Sequence, residues 1–165
     1  IVDRLVGSEM CIRDSPEGNK DIDADGSGEK AREALAWKQA YADQCDAQMA
    51  IVTQFAFDAR AVVDWADMLL EGGIRMPVHI GLAGPTKLQT LIKFAISCGV
   101  GPSVKVLQKR ALDLTKLLTP YEPTEILQDL SGLLSEGRAE NIAGIHFFPL
   151  GGIGSTAQWL GQRTA

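Results

Sequence analysis

A single amide is the first residue in this chain that could do chemistry. Met49-Ala50-Ile51-Val52-Thr53-Gln54-Phe55 is a short, continuous, β-branched run, the pattern of a strand buried on both faces. Gln54 stands near its C-terminal end. A carboxamide offers both a donor and an acceptor to a ligand, and the C-terminal ends of parallel strands are where barrel enzymes place their chemistry. The plainer reading of Gln54 is a glutamine that satisfies neighbouring backbone.

Other clusters are weaker. Asp21-x-Asp23-x-Asp25-Gly26 opens like a calcium loop, but Arg32 stands at the position that needs a bidentate Glu, and Glu33 comes one residue late. A solvated acidic loop is the better expectation. In Gly151-Gly152-Ile153-Gly154-Ser155-Thr156, backbone amides before a helix can hold a phosphate, although a tight connection explains the glycines equally well. Neither His79 nor His146 has a carboxylate or cysteine at metal-ligand spacing, so both are expected to be histidines with satisfied hydrogen bonds, and no metal site is expected.

These residues need elements to position them. A polar, Gly/Asp-rich loop spans Asn19 to Gly28, and a helix is predicted from Glu29 to Gln44 with Ala34, Leu35, Trp37 and Tyr41 as its apolar positions. After the strand at 49–55 comes a helix from Ala59 to Leu70, stopped by Gly72-Gly73. Pro77 to Leu82 reads as a second strand. Pro85 suits the first turn of a helix carrying Leu88, Leu91, Ile92 and Ala95 and ending at Gly99. A very short strand near Gly99 to Gly101, a helix from Ser103 to Leu118 and a helix opened by Pro123 and running through Leu134 follow. Ile142 to Phe148 reads as the last strand, with a helix around Thr156 to Leu160.

Strand–helix alternation with buried-type strands indicates a parallel α/β architecture. Periodicity does not choose between an open sheet and a barrel. Four βα units would be half of a (β/α)8 TIM barrel, a fold of roughly 250 residues. The expectation is therefore that 16–165 form a partial barrel made of its last four βα units. Ile1 to Ser15 shows no clean period and resembles translated sequencing-adapter read-through, so it is set aside as a non-native lead-in.

The totals mainly exclude. A formal net charge of -5, with 16 Lys+Arg spread through 165 residues, lacks the clustered basic face that nucleic acid requires. No apolar run approaches the ~20 residues of a membrane helix, and the N-terminus is not a signal peptide. Cys11, Cys45 and Cys98 lie far apart and read as free thiols in a reducing, cytoplasmic compartment.

Three segments in order resemble the methylenetetrahydrofolate reductase family. They are Ile51-Val52-Thr53-Gln54-Phe55-Ala56-Phe57-Asp58, then Pro77 to Gly84 with Lys93-Phe94-Ala95, and Gly144-Ile145-His146-Phe147-Phe148. The resemblance implies the C-terminal half of a flavin-dependent barrel that uses FAD to pass a hydride from NADH or NADPH to a folate substrate, methylenetetrahydrofolate. It assigns Gln54 to the folate or nicotinamide and Phe94 to packing against the folate. Thr90, with Gln89 adjacent, falls where the family has a second substrate-binding glutamine. Lys38 matches a basic residue that meets the FAD phosphates, and Asn19, after Pro16-Glu17-Gly18, stands in for a flavin-contacting histidine. Without the family, Phe94 is a core residue of an amphipathic helix and Lys38 a solvated lysine.

One departure bears on the substrate: Gly152 stands where the family has an arginine that helps to hold the folate. A related flavoenzyme with another one-carbon substrate, or a non-catalytic folate- or nucleotide-binding barrel module, is the alternative. The family's general acid belongs to earlier strands, so no catalytic residue is assigned. The resemblance leaves room for a homo-oligomer.

Overall fold

The computed structural model describes residues 25, 27–45, 48–97 and 119–163. Eight elements follow one another as α1 (Glu29–Gln44), β1 (Ile51–Phe55), α2 (Ala59–Glu71), β2 (Val78–Ala83), α3 (Leu88–Ser97), α4 (Thr124–Ser135), β3 (Ile142–Phe148) and α5 (Ile153–Gly161). The three strands form one sheet in the order β1-β2-β3, and both pairings are parallel. The α/β class and the parallel sheet agree with the strand–helix alternation. This arrangement is compatible with a piece of an α/β barrel.

The β1–α2–β2 unit shows why the pattern folds this way. Asp58 caps α2, its carboxylate accepting from the Arg60 and Ala61 amides at 3.0 and 3.1 Å. Val62, Val63, Trp65, Ala66 and Leu69 fall on one stripe of the helix and are buried. Against them lie Val78, Ile80 and Leu82 of β2, Ile126 and Leu130 of α4, and Leu35 of α1. Each such aliphatic side chain contributes roughly 1.5–3 kcal/mol when taken from water, and this cluster is the main core.

An ion-pair clamp closes the N-terminal end of β3. The Arg138 guanidinium donates to Asp67 at 2.9 and 2.6 Å and to Asp64 at 2.8 Å. The other Asp67 oxygen accepts the Ala139 amide at 2.7 Å, which holds Ala139 at φ +50. Hydrogen bonds to Asp64 first, and to Asp67 second, raise the Arg138 pKa above its ordinary value.

Several expectations are corrected. In α1 only Leu35 is buried, whereas Trp37 and Tyr41 are 74% and 55% exposed and Ala34 is exposed as well. The helix docks through Leu35 and Gln39, whose side-chain oxygen accepts the Arg75 and Met76 amides at 2.8 and 3.0 Å. The aromatic stripe is thereby turned outward. α3 starts at Leu88 and not at Pro85, because Thr86 exchanges two backbone hydrogen bonds with Tyr121, at 3.1 and 2.8 Å. α5 starts at Ile153, three residues before Thr156. The strand and helix expected at 99–101 and 103–118 lie outside the described residues.

The strands are not buried on both faces throughout. Val52, His79 and Gly144, which pair across the three strands, are half-buried, and His146 is exposed. Parallel sheets normally cover both faces. Here the described residues bury Val78, Ile80 and Leu82 on the helix-bearing face of β2, while their β3 neighbours Ile142, Ile145 and Phe147 and the residues of the other face are covered only in part. Among the described residues, β1 and β3 have no further strand on their outer sides.

Candidate functional site

The C-terminal ends of the three strands carry the residues of interest. β1 and β2 keep register from Ile51 and Val52 to Val78 and His79, then slip, so that Phe55 pairs with Gly81. Thr53 and Gln54 occupy the slip as a β-bulge, a feature that re-aims side chains beside functional sites. The Thr53 hydroxyl repairs the ladder by accepting the Gly81 amide at 2.9 Å and donating to the Gln54 carbonyl at 2.8 Å. Residue 81 must be glycine for this fit. A Cβ there would collide with the Thr53 carbonyl oxygen, with Phe148 Cε2 at 2.6 Å and with the Gln54 carbonyl oxygen at 2.7 Å.

Gln54 is 6% exposed, and among the described residues its carboxamide has no hydrogen-bond partner. The expectation that it satisfies neighbouring backbone therefore fails for the side chain. Only its backbone carbonyl is engaged by Thr53.

Next to Gln54, Phe55 starts an aromatic cluster. Its ring meets Phe57 at 5.8 Å and Phe148 at 5.9 Å, Phe57 meets Tyr121 at 5.7 Å, and His146 meets Phe148 at 4.8 Å, all edge-on. α3 drives Leu88, Leu91 and Ala95 into this cluster. That packing fixes the remaining faces of the helix. Gln89 is exposed, Thr90 is half-buried and Phe94 is 41% exposed, so Phe94 is not a core residue. The structure thus packs α3 against Phe55, the neighbour of Gln54, through Leu88, Leu91 and Ala95, with Gln89, Thr90 and Phe94 outside that packing.

It does not bring Lys38 there. Gln39, the next residue, is bonded beside Met76 at the N-terminal end of β2, and from Met76 to the level of Gln54 the strand advances by about 13 Å. Asn19 lies outside the described residues. His79 and His146 also depart from expectation, since neither has a hydrogen-bond partner among the described residues. The His79 ring instead lies over Gly144, where a Cβ would stand 3.1 Å from Nδ1.

Reasoning from residue types alone missed two parts of this region. One is Thr53, whose hydroxyl serves the bulge; nothing in a β-branched run distinguishes it from a packing threonine. The other is a group on α5 and the segment before α4. Glu122 accepts from Trp159 Nε1 and from Arg163, both at 2.9 Å, and the guanidinium lies 4.3 Å from the indole centroid. The i, i+4 spacing of Trp159 and Arg163 was visible, but their acidic partner lies 37 residues from the tryptophan.

Among the described residues, no cluster of three or more His, Cys, Asp or Glu is placed to hold a metal ion, and no helix is long and apolar enough to cross a membrane. Compared with models of known protein families, the chain matches none.

Proposed function

We propose that this chain is the C-terminal part of a (β/α)8 barrel that binds FAD and transfers a hydride from NADH or NADPH, by way of the flavin, to methylenetetrahydrofolate. The observation that carries this reading is Gln54, 6% exposed and with a carboxamide unbonded among the described residues, at the C-terminal end of a parallel strand within the Val-Thr-Gln-Phe motif. A flavin supplies the redox chemistry, and the protein supplies binding, orientation and exclusion of water. On this reading the Gln54 carboxamide accepts from and donates to the edge of the pterin or the nicotinamide carboxamide. Phe94, free of the core, offers a ring face to the flat substrate. Thr90 and Gln89 line the approach from α3.

The half-covered sheet face, and outer strand edges that no described residue pairs, support a barrel in which further strands complete the wall. Lys38 stands at the far end of the sheet from Gln54. The flavin phosphates would then be held by groups from the completing strands. Gly152 in the place of an arginine removes a cation from the substrate site, so a related one-carbon substrate belongs to the same proposal.

The test is spectroscopic. The product of the complete reading frame is expected to be yellow, to bleach anaerobically with NADH or NADPH, and to regain its flavin absorbance with methylenetetrahydrofolate. Gln54→Leu should slow reoxidation by about tenfold or more, the worth of one hydrogen bond to a reacting partner. A colourless product inert to both would end the flavoenzyme reading and favour a non-catalytic binding module.

A further inference from the structure

A cleft of about 640 Å³ opens between the turn after β2 and one side of α5. Its size is that of a small-molecule site. Seven polar or charged residues line it besides Trp159; the Glu122 and Ser155 side chains are hydrogen-bonded within the protein, which leaves those of Thr86, Lys87, Thr90, Gln158 and Gln162. None of the five hydrogen-bonds to another residue among the described residues. Thr86 is the most telling. It is 6% exposed, its hydroxyl is unpartnered, and the cleft it lines is where that hydroxyl can be satisfied.

One cation and one anion line the cleft, and they differ in how they are paired. The anion is Glu122; its Oε2 accepts from both Arg163 and the Trp159 indole N–H, so its charge is countered by a guanidinium. Lys87 has no counter-charge among the described residues. All five unpartnered side chains can donate a proton to a hydrogen bond, and Lys87 can only donate.

The walls are built beforehand. The turn after β2 is tied to Tyr121 by two backbone hydrogen bonds and to Phe148 by the Gly84 amide at 2.8 Å. Gly151 passes so close to the Pro85 carbonyl that a Cβ would overlap it. The backbone of this frame does not have to be ordered when a ligand arrives.

We propose that this cleft binds an oxyanion, the phosphoryl or carboxylate group of a small ligand, through the Lys87 ammonium, the Thr86 and Thr90 hydroxyls and the Gln158 and Gln162 amides. The inference does not rest on the flavin reading, with which it shares only Thr90. A chain that holds no flavin can still bind here.

The test uses the full chain, 15N-labelled, titrated with inorganic phosphate, with acetate, and with chloride at matched ionic strength. Saturable shifts of the Thr86, Lys87 and Thr90 amides are expected with phosphate or acetate but not with chloride. The more tightly held anion tells which group the cleft takes. Lys87→Gln, an exposed change that leaves packing untouched, should weaken binding about tenfold, and Thr86→Val, nearly isosteric, about threefold. The wild-type pattern of remaining amide peaks reports that each variant is folded, and should Thr86→Val unfold, Lys87→Gln decides alone. Shifts that do not saturate, equal shifts with chloride, or undiminished affinity in Lys87→Gln would overturn the proposal.

Discussion

Replacing Gly81 by alanine adds one methyl group at the point where β1, β2 and β3 meet most closely. Its three nearest obstacles are the Thr53 carbonyl oxygen, the Gln54 carbonyl oxygen at 2.7 Å and Phe148 Cε2 at 2.6 Å. Two of these are backbone atoms of the bulge. They can retreat only if β1 moves, which would also stretch the bond from the Gly81 amide to the Thr53 hydroxyl at 2.9 Å. Overpacking ordinarily costs about 1–3 kcal/mol, and obstacles that are backbone put this site at the upper end, about 3 kcal/mol. With a urea dependence of about 1–3 kcal/mol per molar for a small domain, the unfolding midpoint should fall by about 1 M or more. Gly144→Ala is the control. There the obstacle is the His79 ring, at 3.1 Å and without a hydrogen bond to break, so a cost of about 1 kcal/mol or less is expected. Equal midpoints for wild type and Gly81→Ala would refute the bulge as described, and with it the placement of Gln54.

Three further outcomes are expected. Gln39→Ala removes the acceptor of the Arg75 and Met76 amides and should cost about 1–2 kcal/mol by chemical denaturation, with faster exchange at those two amides; unchanged exchange would show that α1 is docked by Leu35 alone. Trp37→Ser should change stability by no more than ~0.5 kcal/mol, because the indole is 74% exposed, and a larger loss in a melting experiment would mean that α1 presents its other face to the sheet. The Ser27 amide, bonded to Asp25 at 3.1 Å, is the main cause that lowers the Asp25 pKa below the ordinary 3.8. A carboxyl whose folded value is lowered contributes stability above the unfolded value and loses it as pH falls through the folded one. Protection of the Ser27 amide should accordingly persist down to 3.8 and vanish below it, and an NMR titration that placed Asp25 at or above the ordinary value would contradict this.

Elements were legible where a local rule decides them. The span Glu29–Gln44, the Gly72-Gly73 stop of α2 and the three strands follow from periodicity, caps and β-branched runs. The errors lie where a distant residue intervened. Trp37 and Tyr41 look as apolar as Leu35 along the chain, yet Gln39 reaches residues 36 and 37 positions away and sets which side faces the sheet. Pro85 could open a helix by its own geometry, but Tyr121 holds the next residue extended. Phe94 has the spacing of a core position and is displaced from the core because Leu88, Leu91 and Ala95 take that place in the Phe55 cluster.

The chemistry divides along the same line. That Gln54 ends a buried strand can be read from the residues around it, since side-chain type and strand pattern are local. That its amide is left without a partner, that Thr53 repairs the ladder, and that Thr86, Lys87 and Gln158 converge on one cleft were decided only in three dimensions. Hydrogen-bond satisfaction is a property of everything packed around a group, and residues separated by dozens of positions meet there only because the strands run parallel and their crossovers return each chain end to the same edge of the sheet.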